Sequence, residues 1–359
     1  RMTDLLRKLR DRGNTVLVVE HDKDVIRIAD EIIDVGPLAG RNGGGIMFQG
    51  SYEQLLCSDT RTGHAMREQI RIKNQPRIPT EYLSINNASL HNLKHVSVDI
   101  PLHILTVVSG VAGSGKSSLI RDVFAKQYED RVVLVDQTPI TATGRSTPAP
   151  FLDFSNDIRK LMANEHHIDV GMFSFNSKGA CPHCHGKGIV VTELVFMDPV
   201  TTVCEMCEGK RYSEEALSYE YRGHNIADIM ELTVEDALEF FNDKPKIFRK
   251  LRTLHEVGLS YLSLGQPLST LSGGERQRIK LAKHLKNKGN IFILDEPTTG
   301  LHASDIKSIM KLLEGFVERG NTVIIIEHNL DVMKQADYII DIGPDGGTAG
   351  GEVVFMGTP

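Results

Sequence analysis

The stretch GVAGSGKSSL, residues 110–119, constrains this chain more than any other. An apolar run, ILTVVS, precedes it, and SLIRDVFA, with helical apolar spacing, follows. Gly110, Gly115, Lys116 and Ser117 at this spacing, between a strand and a helix, make a phosphate cradle. Backbone N–H groups and the helix start face the anion, Lys116 supplies a point charge, and the Ser117 hydroxyl serves Mg²⁺. The candidate nucleotide-binding residues of the loop are Gly110, Gly113, Ser114, Gly115, Lys116, Ser117 and Ser118. The plainer reading, a glycine turn with a surface lysine, leaves the flanking strand and helix without a reason. Short apolar runs (VVLV, IFIL, VIII) alternating with helical patterns such as Ile306, Ile309, Met310, Leu313 and Phe316 imply an α/β fold with parallel strands at its centre.

A second feature is internal repetition. Shifted so that Asp11 falls on Glu318, an offset of 318 − 11 = 307 positions, residues 11–50 match their counterparts at 21 of 40 positions without a gap. Such self-similarity marks two copies of one domain. No phosphate loop precedes the first copy, so residues 1–75 read as the C-terminal part of one nucleotide-binding domain and the start at Arg1 as a cut into a longer chain. Residues 76–84, with Pro76 and Pro79, read as a linker.

Further along, IFILDEPTTGLH is an apolar strand ending in Asp295 and Glu296. An acidic pair there suits Mg²⁺ control by Asp295 and water activation by Glu296 as general base, against the alternative of a helix-capping pair before Pro297. LSGGERQRIKLA places Ser272, Gly273 and Gly274 at the start of a helix, whose N-terminus suits an anion. From Lys116 to Ser272 is 272 − 116 = 156 positions, a long separation that contains Cys181-x2-Cys184 and Cys204-x2-Cys207 with 19 residues between the pairs. Two such knuckles are a tetrahedral Zn²⁺ pattern, and four thiolates leave no open position, so the metal is structural. Free buried thiols or a redox pair are the competing reading, and His183 and His185 are second-choice ligands. Residues 185–203 read as a hairpin-like excursion held at its base by zinc.

The net charge of −6 gives no global argument for nucleic acid, and no apolar stretch reaches membrane-spanning length. Paired cysteines without a secretion signal point to metal in a reducing cytoplasm, with Cys57 standing alone. The run Arg276, Arg278, Lys280, Lys283, Lys286 and Lys288 is a candidate phosphate-contacting face, against the ordinary reading of a solvated helix face.

With loop, LSGG signature, LDEP and His328 after VIIIE together, the chain resembles the ABC ATPases. The cysteine insert, with the stretches FSFNSKGACPHCHGKG, CEMCEGKRY, NIADIMELTVEDALEFF, VGLSYLSLGQPLSTLSGGERQRIKLA and LDEPTTGLH, narrows the resemblance to the UvrA family of nucleotide excision repair. It implies an ABC-type P-loop NTPase domain with an inserted zinc module and a helical signature subdomain. The parts divide as 85–175 (phosphate loop and Q-loop), 176–212 (zinc insertion), 213–275 (helical signature region) and 276–359 (acidic pair and histidine loop). By the same resemblance His328 contacts the γ-phosphate of ATP, Gln137 senses Mg²⁺ and water, and the signature of one domain closes over ATP held by another. The implied activity is ATP-controlled recognition of damaged or distorted duplex DNA by a homodimer whose surface includes the zinc modules and which loads UvrB, although the UvrB-docking region of the family belongs to the first half and is absent here. TATGRSTPAPF, retaining Arg145 and Ser146, and Glu275-Arg276 after the signature depart from the repair subunit and look like shorter UvrA paralogues linked to drug tolerance. An ABC ATPase acting on drug or ribosome and the engine of a transporter are the remaining alternatives.

Overall fold

The computed structural model describes the chain outside residues 1, 37–43, 69, 137–146, 195–196, 285–288, 300 and 302. It divides into two compact units, 1–138 with 284–359, and 139–283. Residues 147–175, grouped with the first part of the nucleotide-binding domain by sequence, cluster here with the zinc and helical segments, as do 276–283.

The first unit is built on a six-stranded sheet of β1 (Leu105–Ser109), β2 (Val132–Val135), β3 (Ile291–Asp295), β4 (Thr322–Ile326), β5 (Tyr338–Gly343) and β6 (Glu352–Gly357). Its spatial order is β6-β5-β1-β4-β3-β2. The first five strands run parallel, with Leu105 opposite Val323 and Thr322 opposite Ile291, while β6 returns antiparallel against β5. Parallel strands are covered on both faces and therefore read as unbroken apolar runs; LTVVS and TVIII are buried at every position. An antiparallel hairpin, Tyr82–Ala88 with Val96–Pro101, contributes Ile85, Val98 and Ile100 to a core shared with Leu119, Ile120 and Phe124 behind the phosphate loop and with Ile293, Ile324 and Ile340 of the sheet. The helix Ala303–Glu318 buries Ile309, Leu313 and Phe316, and Phe316 meets Phe292 of β3 edge-on at 4.6 Å.

The first copy shows what its sequence lacks without neighbours. Leu17 and Val19 are 87% and 97% exposed, whereas their repeat counterparts Ile324 and Ile326 in β4 are 0% and 1% exposed. Among the described residues no strand lies beside Val16–Val19, and that stretch is not a strand. Only the hairpin Ile32–Gly36 with Gly45–Gly50, matching β5 and β6, closes on itself.

The second unit is helical around the cysteine module. The helices Ile226–Glu231 and Val234–Phe240 start at capping boxes, Asn225 with Asp228 and Thr233 with Asp236. Pro245 occupies the first turn of Pro245–Glu256, which buries Ile247, Leu251 and Leu254. Lys250 joins it to the helix Ser155–His166 through Asp157 at 3.0 Å.

Candidate nucleotide and metal sites

The parallel sheet brings the sequence-predicted groups to one edge, because strands of one direction deliver their carboxyl ends together. β1 leads into the phosphate loop, β3 ends at Asp295, and β4 leads to His328. At Gly110 the backbone is left-handed (φ +137°), and an added Cβ would sit 2.1 Å from Ile342 O, so only glycine fits. Lys116 folds over the loop and donates to Gly110 O at 2.7 Å and Val111 O at 2.8 Å. Burial pulls its ammonium below the usual lysine range, while Glu296, Asp295 and Asp341 pull it back in part. A phosphate offers this cation anionic oxygens in place of two carbonyls. Behind the loop, Ser109 Oγ donates to Asp341 at 2.6 Å. The following segment, Ser118–Phe124, is π-wound, closing with an i→i+5 bond from Ala125 N to Ile120 O.

Asp295 ends β3 and accepts from Arg121 Nη1 at 2.8 Å, so a cation already partners the carboxylate that the sequence offers as an Mg²⁺ ligand. Glu296 sits at φ +45°, a left-handed conformation costly for a side-chain-bearing residue, held by its N–H on Ile326 O at 2.9 Å. Its carboxylate faces His328 Nδ1 at 3.8 Å and accepts from Thr299 Oγ1 at 3.3 Å.

Glu327, absent from the sequence-predicted groups, ties the segment after Glu296 to the one that carries His328. Its carboxylate is 1% exposed. It accepts from Thr298 N at 3.2 Å and from the Thr298 hydroxyl on one side, and from His328 N at 2.8 Å and Asn329 N at 3.0 Å on the other. The repeat carried the signal, since Glu20 makes the same local cap on His21 N and Asp22 N. The Thr298 arm exists only where β3 stands beside β4. Gln137, Lys286, Lys288, Arg145 and Ser146 lie outside the described residues.

In the other unit, Ser272 N donates to Glu275 Oε2 at 2.7 Å and Glu275 N to Ser272 Oγ at 3.3 Å, a reciprocal cap at the start of the signature helix, where Gly273 and Gly274 follow. Tyr261 donates its hydroxyl to the same Glu275 carboxylate. Burial first, and then this carboxylate, pushes the tyrosine pKa up. The basic run beyond does not form one exposed row. Arg278 is 7% exposed and donates to Gly258 O at 3.2 Å, and Arg276 turns back onto Leu271 O. The helix must bury one face, and two of the run's cations fall on backbone carbonyls.

The four cysteines Cys181, Cys184, Cys204 and Cys207 converge with all sulfurs within 4.8 Å of one another and all four residues buried. Cys181 and Cys204 sulfurs are 3.9 Å apart, Cys184 and Cys207 3.6 Å. A tetrahedron with Zn–S bonds of ~2.3 Å has edges of ~3.8 Å, which these two separations approach, so the donor set suits Zn²⁺. Gly188 N donates to Cys184 Sγ at 3.2 Å, and His183 Nδ1 lies 3.4 Å from Cys204 Sγ, which makes His183 an outer-sphere partner and not a fifth ligand. The Cys207 N–H, with His183, holds the Cys204 thiol below its usual range, while burial pushes the Cys207 thiol up. The segment between the pairs is a hairpin, Ile189–Leu194 with Met197–Val203, anchored by Cys204 N on Gly188 O at 3.0 Å.

A family model described as ABC transporter matches residues 93–299. Over its whole length the chain is 45% identical to UvrABC system protein A of Methanothermobacter thermautotrophicus and 46% identical to that of Staphylococcus aureus, covering 41% and 42% of those proteins. The crystal structure of UvrA2 from Deinococcus radiodurans matches with a TM-score of 0.92 at 43% identity, over 100% of this chain and 47% of that one. The chain thus spans less than half the length of the curated relatives it matches. Their alignments run over 394 residues, so the relatives carry segments within the matched span that this 359-residue chain lacks. With more than half of its residues inside the family match, the chain belongs to the ABC ATPase family, and its likeness within that family runs to UvrA.

Proposed function

We propose that this chain is the C-terminal ATPase part of a UvrA-type damage-recognition protein, binding MgATP at its phosphate loop and acting with further ABC domains on distorted duplex DNA. The observation that carries the reading is the convergence of Lys116, Asp295, Glu296 and His328 at the carboxyl ends of adjacent parallel strands, in a chain similar end to end to UvrABC system protein A. Lys116 and the loop from Gly110 to Ser118 hold the phosphates. Ser117 and Asp295 hold Mg²⁺, which neutralises charge on the phosphates when bound. Glu296 orients and deprotonates the attacking water, His328 reads the γ-phosphate, and Gln137 joins them. Ser272, Gly273 and Gly274 serve ATP held by another ABC domain, so full turnover needs a partner domain or a second chain. Zn²⁺ on the four cysteines holds the hairpin rigid. A homodimeric assembly in the cytoplasm, with UvrB as a further partner of the whole protein, completes the reading.

A UvrA-like paralogue acting in drug tolerance is the second reading, supported by the segments missing from the 394-residue alignments. No described helix is long and apolar enough to cross a membrane.

The test is turnover against chain concentration, with and without duplex carrying a bulky lesion or a bound intercalator. ATP hydrolysis should be slow, rise more than linearly with chain concentration, and increase with distorted duplex. Fast turnover independent of concentration would contradict the shared site, and indifference to every duplex would remove the DNA reading.

A further inference from the structure

Resting on that nucleotide reading, we infer that Asn92 is a positioning residue for the phosphate loop, acting together with the glycine strap of residues 345–351, and that the two hold the Gly113–Gly115 turn in the shape that presents the Gly115 N–H to the triphosphate. A phosphate cradle works only if its N–H groups point inward, which requires its carbonyls to be satisfied outward. Two carbonyls of the described loop, Gly113 O and Ser114 O, are satisfied outward in this way, while the Ser114 N–H is held within the loop on Val111 O at 3.2 Å. Asn92 Nδ2 donates to Gly113 O at 2.9 Å and to Gly347 O at 3.2 Å. Gly347 N donates to the same Gly113 O at 3.0 Å, and Gly351 N to Ser114 O at 2.9 Å. A trans peptide is planar with its C=O and N–H on opposite sides. Tying Ser114 O to the strap therefore turns the Gly115 N–H away from the strap, into the cradle.

The strap fits the loop too closely for side chains. A Cβ at Gly346 would sit 2.6 Å from Ala112 O, one at Gly350 3.0 Å from Ser114 Cα, and one at Gly351 1.8 Å from Asn92 O. A Cβ at Gly115 would lie 3.1 Å from Asn92 Oδ1, so the amide packs against the loop it orients. Lys94 N closes the collar on Gly351 O at 2.9 Å. The strap's glycines recur in the first copy, where Gly40, Gly43 and Gly44 stand opposite Gly347, Gly350 and Gly351 in the repeat. Asn92 is the one side chain among these contacts that bonds loop and strap at once, and it is half-buried.

The experiment compares the chain with Asn92→Leu, which keeps the shape of the side chain, removes both donor bonds and adds no charge. Affinity is read by displacement of a fluorescent ATP analogue with unlabelled MgATP. The expected result is a Kd about tenfold higher, equivalent to ~1.4 kcal/mol, with the nucleotide-free melting temperature and zinc content unchanged and, where turnover is measured, KM raised with kcat unchanged. A role in packing alone leaves the Kd unmoved, and equal affinity of Asn92→Leu and the unchanged chain overturns the inference. Asn92→Ser, which keeps one donor, should fall between the two. If Asn92→Leu does not fold, a folded Asn92→Ser with undiminished affinity overturns the inference equally. A chain that binds no MgATP even unchanged defeats the nucleotide reading first, and the inference with it.

Discussion

Asp337 is the repeat counterpart of Asp30, and the same substitution at the two positions should have very different consequences. The Asp337 side chain is 0% exposed. It accepts from Arg77 N, Arg77 Nη1 and Leu105 N, each at 2.9 Å, and pairs with Lys73 at 2.7 Å. Among the described residues Asp30 meets only Arg10, at 2.8 Å, and it is 72% exposed. In Asp337→Asn the charge is lost and the amide NH₂ must face donors on one side. Breaking a buried pair costs ~3–5 kcal/mol. Glu314 still holds Lys73 at 2.5 Å and Arg77 at 2.7 Å, so the cations are not orphaned and the cost falls near the lower bound, about 3 kcal/mol. For a unit of this size that lowers the melting transition by about 6–12 °C. Asp30→Asn removes an exposed pair worth ~0–1 kcal/mol and should move the transition by no more than about 4 °C.

Scanning calorimetry of the two variants at neutral pH measures this directly. Equal shifts would refute the argument that burial, and not the local AD-x-IID sequence, gives Asp337 its energy. The acid branch adds a second check. Burial pushes the Asp337 carboxyl up, but the N–H of Arg77, the Lys73 ammonium and the N–H of Leu105 together outweigh it and hold it below the ordinary range. A depressed folded-state pKa gives stability that is present above the unfolded value of ~4 and lost as pH falls through the folded one. The gap between the chain and Asp337→Asn should therefore narrow below about pH 4.

Other outcomes follow from the sites. Arg121→Gln releases Asp295 from its cation and should lower the Mg²⁺ concentration that half-saturates nucleotide binding by severalfold; an unchanged or raised requirement would show that Arg121 does not compete with the metal. Glu296→Gln should retain MgATP affinity while losing ~10²-fold or more in turnover, measured by phosphate release at a fixed chain concentration. Cys204→Ser should abolish stoichiometric zinc in metal analysis and expose the hairpin Ile189–Val203 to protease while leaving MgATP affinity within about twofold, since the loop lies in the other unit.

Much of the candidate site was legible because its signals are local. A phosphate loop must be contiguous for its N–H groups to converge, and paired Cys-x2-Cys knuckles bring two sulfurs together within one turn each, so spacing alone announces both. The parallel core was legible for a related reason: strands buried on both faces have no polar alternation. Helix Ala303–Glu318 declared itself by the period of Ile306, Ile309, Leu313 and Phe316.

What the sequence by itself determined was thus the chemistry within a few residues: the loop, the acidic pair, the cysteine knuckles and the doubled domain. Only the tertiary structure decided which distant groups complete them. Asn92 reaches Gly347 across 255 positions, Arg77 reaches Asp337 across 260, and Glu327 takes Thr298 across 29. It also decided that Arg278 lies buried in a run of cations, and that LVV at Leu17–Val19, so close in sequence to the fully buried β4, stands exposed. The physical reason is that burial and long-range hydrogen bonds belong to the neighbours that folding supplies, and a residue's own sequence does not specify those neighbours.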